Sequence, residues 1–181
     1  MAERGILDKD VNNSTMKEKE TIVICIGSDR VAGDMLGPLV GSNLRDKYHL
    51  PYPVYGAVGE SVNGLNLEEY LEMIDRRHRG SRIIAVDAAL GKTEDVGKIR
   101  LKKGGIKAGG ALDRAGGKVG DLGIVGVVAK EREPKDVYAT LLCVPFPFVE
   151  GLAERIAEMI CVALSVSSVE SGERAFSRAE V

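Results

Sequence analysis

Thr21-Ile22-Val23-Ile24-Cys25-Ile26-Gly27-Ser28-Asp29-Arg30-Val31-Ala32-Gly33-Asp34-Met35-Leu36-Gly37-Pro38 is the stretch from which the fold is read. It begins with an unbroken apolar, mostly β-branched run that stops at a glycine. A run so short and so apolar predicts a strand covered on both faces, as strands of parallel sheets are. Beyond the loop, Leu36, Leu39, Val40 and Leu44 fall at helical spacing and predict a helix over residues 34–48. Pro38 then sits in the first turn, where its missing N–H costs little.

The alternation continues outward from this unit. Residues 54–57 predict a second short strand. Asn66 is placed to cap a helix over Leu67–Arg77, with Glu68 and Glu69 at its positive end. Residues 82–86 (RIIAV) predict a third, buried strand that ends at Asp87; residues 98–101 and 123–129 predict a fourth and a fifth. The most regular helix covers residues 148–164, with Phe148, Leu152, Ile156, Met159, Ile160 and Ala163 on one stripe and Glu150, Glu154, Arg155 and Glu158 opposite. Residues 137–144 fit strand or helix equally. Strands alternating with helices imply parallel crossovers and a sheet covered on both sides, an α/β sandwich. The polar, mixed-charge segments 1–20 and 166–181 read as disordered tails around a single domain over residues 21–165.

Composition removes several functions. The chain has 25 Lys and Arg against 27 Asp and Glu, a formal charge of -2, which argues against a polyanion-binding surface. Aromatic residues are 4% with no Trp, too few for base-stacking platforms, so no nucleic-acid partner is expected. No apolar run approaches the roughly 18 residues of a membrane span, and the first twenty residues lack the apolar centre of a signal peptide. The expectation is a cytoplasmic protein without a membrane partner; homo-oligomerisation is left open. Cys25, Cys143 and Cys161 each sit in an apolar run, which reads as small buried hydrophobes in a reducing compartment.

The chemistry gathers on two carboxylates. Asp34 closes the loop after the first strand, and Asp87 follows the third. In open parallel sheets ligands bind at the carboxyl ends of the strands. Neighbouring strands are about 4.8 Å apart, so adjacent first and third strands would bring these side chains together. Two close carboxylates repel and hold one proton between them over a wide pH range. One can then act as base on a water while the other donates a proton. Taken singly, Asp34 also reads as a helix cap and Asp87 as the holder of a turn; their coincidence at one sheet edge favours function.

Other sites are less well supported. The first loop has neither the G-x-G-x-x-G spacing nor the G-K-[ST] ending of a phosphate cradle, and Asp29 and Asp34 would repel a phosphate. His49 and His78 read as solvated surface residues, which leaves no zinc site of several His or Cys ligands and no Ser–His or Cys–His nucleophile. The glycine-rich residues 104–120 read either as a surface loop or as a lid along the cleft.

The segments IVICIGSDRVAGDMLGPLVG, NGLNLEEYL, RIIAVDAALGKTEDVGKIRL and VGDLGIVGVVA resemble the YyaC-type sporulation proteins. More distantly, Asp34-Met35-Leu36-Gly37-Pro38 is similar to the D-A-L-G-P of the spore germination protease, and Val86-Asp87-Ala88 to its I-D-A. Gly64-Leu65-Asn66-Leu67 and Asp87 look like hydrogenase maturation endopeptidases. The resemblance implies a three-layer α/β/α, phosphorylase/hydrolase-like fold. It implies a peptidase whose catalytic pair is Asp34 and Asp87, acting on a protein or peptide substrate in the mother cell or forespore. Asp29 and Glu60 would line the cleft, and Asn63 would hold the substrate backbone. The hydrogenase endopeptidases bind nickel through acids matching Asp34 and Asp87 and a later histidine. No histidine follows His78 here, so no metal or other cofactor is expected. An oxygen-preferring divalent cation at Asp34 and Asp87 is the remaining option. The alternative function is a non-catalytic protein that holds a peptide or such a cation in the same cleft.

Overall fold

The structure is a computed structural model that describes residues 19–107, 117–133 and 136–176. Its strands are β1 (Thr21–Cys25), β2 (Val54–Tyr55), β3 (Arg82–Gly91), β4 (Ile99–Lys103) and β5 (Leu122–Lys130). They form one sheet in the order β2-β1-β3-β5-β4. β2, β1, β3 and β5 run parallel, and β4 is antiparallel to β5 at the edge. The helices are α1 (Leu36–Ser42), α2 (Leu67–Arg77), α3 (Val137–Leu142) and α4 (Phe146–Phe176). This is the three-layer α/β/α arrangement that the alternating pattern predicts.

Period two along the buried strands sorts their side chains between two cores. Val23, Cys25 and Val86 point to one face, where Leu36 and Val40 of α1 meet Ile156 and Ile160 of α4. Ile22, Ile24 and Ala85 point to the other, beneath Leu67 and Ile74 of α2. β1 is buried along its whole length, which is why its sequence shows no polar alternation.

Several elements differ from the sequence reading, each for a physical reason. β3 does not stop before Asp87 but runs on to Gly91, because β5 supplies a partner as far as Lys130. The fourth strand is the antiparallel β4, so β4 and β5 are joined by a return and not a crossover; its Arg100, Leu101, Lys102 and Lys103 are exposed, and such a charged edge resists unwanted pairing. The first helix is a composite: a 3-10 turn at Ala32–Met35, then α1, then a π turn at Asn43–Lys47. Residues 137–142 settle as helix.

Asn66 occupies the N-cap position of α2 without capping it. Its Oδ1 accepts the Asn63 N–H at 2.8 Å and its Nδ2 donates to the Ser61 carbonyl at 3.0 Å, so it braces the incoming loop. α4 continues to Phe176, past the point where a tail was expected from residue 166. The sequence there has no proline, and extending an established helix is far easier than starting one. The ends of the glycine-rich stretch are pinned by reciprocal backbone bonds between Ile106 and Val119, both buried. Residues 108–116 within it, like the expected tails at 1–18 and 177–181, lie outside the described residues.

Candidate active site

The cleft that bears the two aspartates is made where β1 ends and β3 goes on. The last pair shared by β1 and β3 is Cys25 with Val86. Asp87 is therefore the first β3 residue past the end of its neighbour, and its side chain follows that of Ala85 toward the α2 side. Asp34 arrives from the 3-10 turn that carries the chain from β1 into α1. Both line a cleft of about 660 Å³, together with Asn63, Leu65, Lys107 and Leu141 among others.

Each aspartate is held by one backbone N–H. Ser28 donates to Asp34 Oδ2 at 2.7 Å, and Ala88 donates to Asp87 Oδ1 at 2.8 Å. Asp34 is thus bound across its own loop and does not cap α1. Burial raises the Asp34 carboxyl above the usual carboxylate range, against the opposing pull of the Ser28 N–H. Asp87 is pushed up to about 8, first by burial and then by the charge of Asp34; the Ala88 N–H and the charge of Lys102 oppose this. With its carboxyl pushed up to about 8, Asp87 is the member of the pair that keeps a proton at neutral pH.

Of the three substrate-contact residues read from the sequence, Asn63 lines the cleft and the other two do not. Asn63 Oδ1 accepts the Leu65 N–H at 3.0 Å, and its amide nitrogen makes no hydrogen bond among the described residues. Asp29 ties two loops together, accepting the Gly59 N–H at 3.0 Å and donating its own N–H to Ser61 Oγ at 3.2 Å. Glu60 forms an ion pair with Arg45 Nη1 at 2.7 Å. The residues that sequence reasoning did not single out are the apolar ones. Leu65 is 96% exposed and Val137 38% exposed, and both line the cleft.

The donor set does not fit a nickel or zinc centre. Among the described residues, no three His, Cys, Asp or Glu side chains converge. His78 is not a solvated surface residue: its side chain is 16% exposed and bridges Glu20 Oε2 and the Tyr55 hydroxyl, each at 2.8 Å. Cys25 is fully buried in β1, its thiol pushed up to about 12 by that burial. Cys143, expected to be buried, is exposed at the end of α3, because that helix lies on the surface.

Comparison with known proteins places the chain in a family. The family described as "Protein of unknown function (DUF1256)" matches residues 4–159. The chain belongs to that family. It is 38% identical over 110 residues to the uncharacterized protein YyaC of Bacillus subtilis, a match that spans 61% of this chain and 54% of the relative. The chain thus spans about half the length of the curated relative it matches. Among solved structures, it is similar to the [NiFe] hydrogenase maturation protease HycI of Thermococcus kodakarensis, with a TM-score of 0.55 and 20% identity over 81% of this chain and 93% of that one. It is also similar to peptidyl-tRNA hydrolase of Acinetobacter baumannii, with a TM-score of 0.50 and 13% identity over 87% and 92% of the two chains. At those identities the likeness is one of fold, a fold used by hydrolases. Among the described residues, no helix is long and apolar enough to cross a membrane.

Proposed function

We propose that the protein is a peptidase that hydrolyses a peptide bond of a protein substrate with Asp34 and Asp87. One observation carries the reading: the two carboxylates line a single cleft at the end of the sheet, each held there by one backbone N–H. In the proposed reaction Asp34 takes a proton from a water whose oxygen attacks the peptide carbonyl carbon. Asp87 gives its proton to the departing amide nitrogen as the carbon–nitrogen bond breaks. The water supplies both the new carboxyl oxygen and the proton left on Asp34. The Ser28 N–H keeps the Asp34 carboxylate oriented throughout. The sporulation setting, in the mother cell or forespore, is part of the same proposal and rests on the sequence resemblance.

The test is cleavage of a broad peptide library by the wild type and by the isosteric Asp34→Asn and Asp87→Asn variants. Both variants should fold and both should lose cleavage by at least about a hundredfold, the scale of general acid–base catalysis. Cleavage that survives both substitutions overturns the proposal.

A further inference from the structure

We propose that the substrate is held as an extended strand added to the open edge of β3 at Ala88–Leu90, with its neighbouring side chains entering apolar walls on opposite sides. The proposal rests on the peptide reading above and specifies how the peptide is held. Its first support is the way in which the sheet ends. β1 and β3 pair from Thr21 with Arg82 to Cys25 with Val86, and one further bond runs from the Ile26 N–H to the Val86 carbonyl at 2.7 Å. The next residue leaves: the Gly27 N–H donates instead to the Val62 carbonyl at 2.8 Å, which draws the chain away from β3. β3 continues to Gly91, and from Asp87 onward it is paired with β5 alone.

Backbone groups of alternate strand residues face opposite neighbours. Val86 directs its carbonyl at β1, so Ala88 directs its own backbone groups to that same side, where β1 has already departed. The Ala88 N–H is engaged by Asp87 Oδ1. The Ala88 carbonyl is thus an acceptor for an incoming N–H, beside the catalytic pair. Asp87, Ala88, Ala89 and Leu90 all line the cleft.

The second support is the pair of walls. On the α2 side stands the loop of Asn63 and Leu65; on the α1/α4 side stands α3 with Val137 and Leu141. An extended peptide sends successive side chains to opposite sides, which matches two apolar walls across one strand edge. The cleft carries both signs, Asp34 and Asp87 against Lys107. Lys107 lines the cleft and has no ion pair among the described residues, so it suits a carboxylate on the peptide. The occupant is therefore an extended peptide with two adjacent apolar residues and an acidic group.

The probes are blocked decapeptides with adjacent leucines and one aspartate, beside the same peptides bearing single backbone N-methyl groups. Binding is measured by titration into the full chain carrying Asp87→Asn, and cutting is measured with the wild type. Edge addition predicts that N-methylation at alternate positions weakens binding about fivefold or more, the worth of one backbone hydrogen bond, while the positions between tolerate it. It also predicts weaker binding by Leu65→Ser and Val137→Ser, and loss of the preference for aspartate in Lys107→Gln. Cutting with a uniform response to N-methylation overturns edge addition and leaves the peptidase reading standing, while uniform binding without cutting overturns both. Alternating binding without cutting by the wild type supports the edge and overturns the peptidase. Neither binding nor cutting overturns both.

Discussion

Gly27 lies so close beneath Asp34 that a Cβ added to it would stand 2.1 Å from the Asp34 carbonyl oxygen. Its φ of +149° is also one that side chains rarely adopt. The atom in the way is backbone, so it cannot swing aside. Gly27→Ala should move the 3-10 turn that presents Asp34, lowering stability by about 2 kcal/mol or more and removing cleavage. Denaturant unfolding together with the peptide assay reads both effects. An alanine variant of wild-type stability and activity would show that the turn is not held by this contact.

The pH dependence of cleavage should be bell-shaped. Activity needs a neutral Asp87, so it should fall as pH rises through about 8. It also needs an ionised Asp34, and because burial raises that carboxyl, the acid limb should lie above the ordinary value of 3.8. A rate that is flat from pH 7 to 10 would remove Asp87 as the acid.

Stability should carry the same signature with a defined sign. Asp87 keeps its proton to about 8 when folded, against about 3.8 when unfolded, so the folded chain binds more protons between those values. That contribution is fully present below the unfolded value and is lost as pH rises through the folded one. Asp87→Asn cannot ionise, so its melting temperature should exceed that of the wild type at pH 9, with the gap closing toward pH 4. An equal gap at both pH values would contradict the burial of this carboxyl.

Chelation should leave cleavage intact. Nickel and zinc sites draw on imidazole or thiolate, and the cleft offers carboxylates. Activity that is lost with EDTA and regained with nickel or zinc, but not with magnesium, would turn the pair into metal ligands.

The bridge made by His78 gives a test away from the cleft. His78→Ala removes the partner of both Glu20 and the Tyr55 hydroxyl, and should cost about 1–2 kcal/mol without changing the pH profile of cleavage. Equilibrium unfolding measures the first part and the peptide assay the second.

What the sequence made legible follows from where its strong signals lie. The β-branched run of β1 and the stripe of α4 each encode their element locally, so the sheet and its covering helices could be read. Asp34 and Asp87 stood out because each carboxylate abuts an apolar run. The same contrast misled at the end of β3. A charged residue after Val86 reads as a strand end, yet the strand continues past it because β5 lies alongside, and that pairing spans about forty residues of chain. The expectation that Glu60 lines the cleft is not met, because its carboxylate pairs with Arg45. Its partner Arg45 is 15 positions away on another element, and such a contact has no local trace. The exposure of Leu65 has no local signal, since nothing in Asn63-Gly64-Leu65-Asn66 says which way the loop turns its side chain.

The three thiols differ in a way that makes the protein easy to instrument. Cys25 is sealed in β1 and resists ionisation, Cys161 is half-covered with its thiol also raised by burial, and Cys143 is exposed. A maleimide dye at neutral pH should therefore attach to Cys143 first, because the thiolate is the reacting form and access governs the rest. That position ends the helix whose Leu141 forms one side of the cleft. A fluorophore placed there becomes a native reporter of what enters beside Asp87, with no cysteine engineered into the chain.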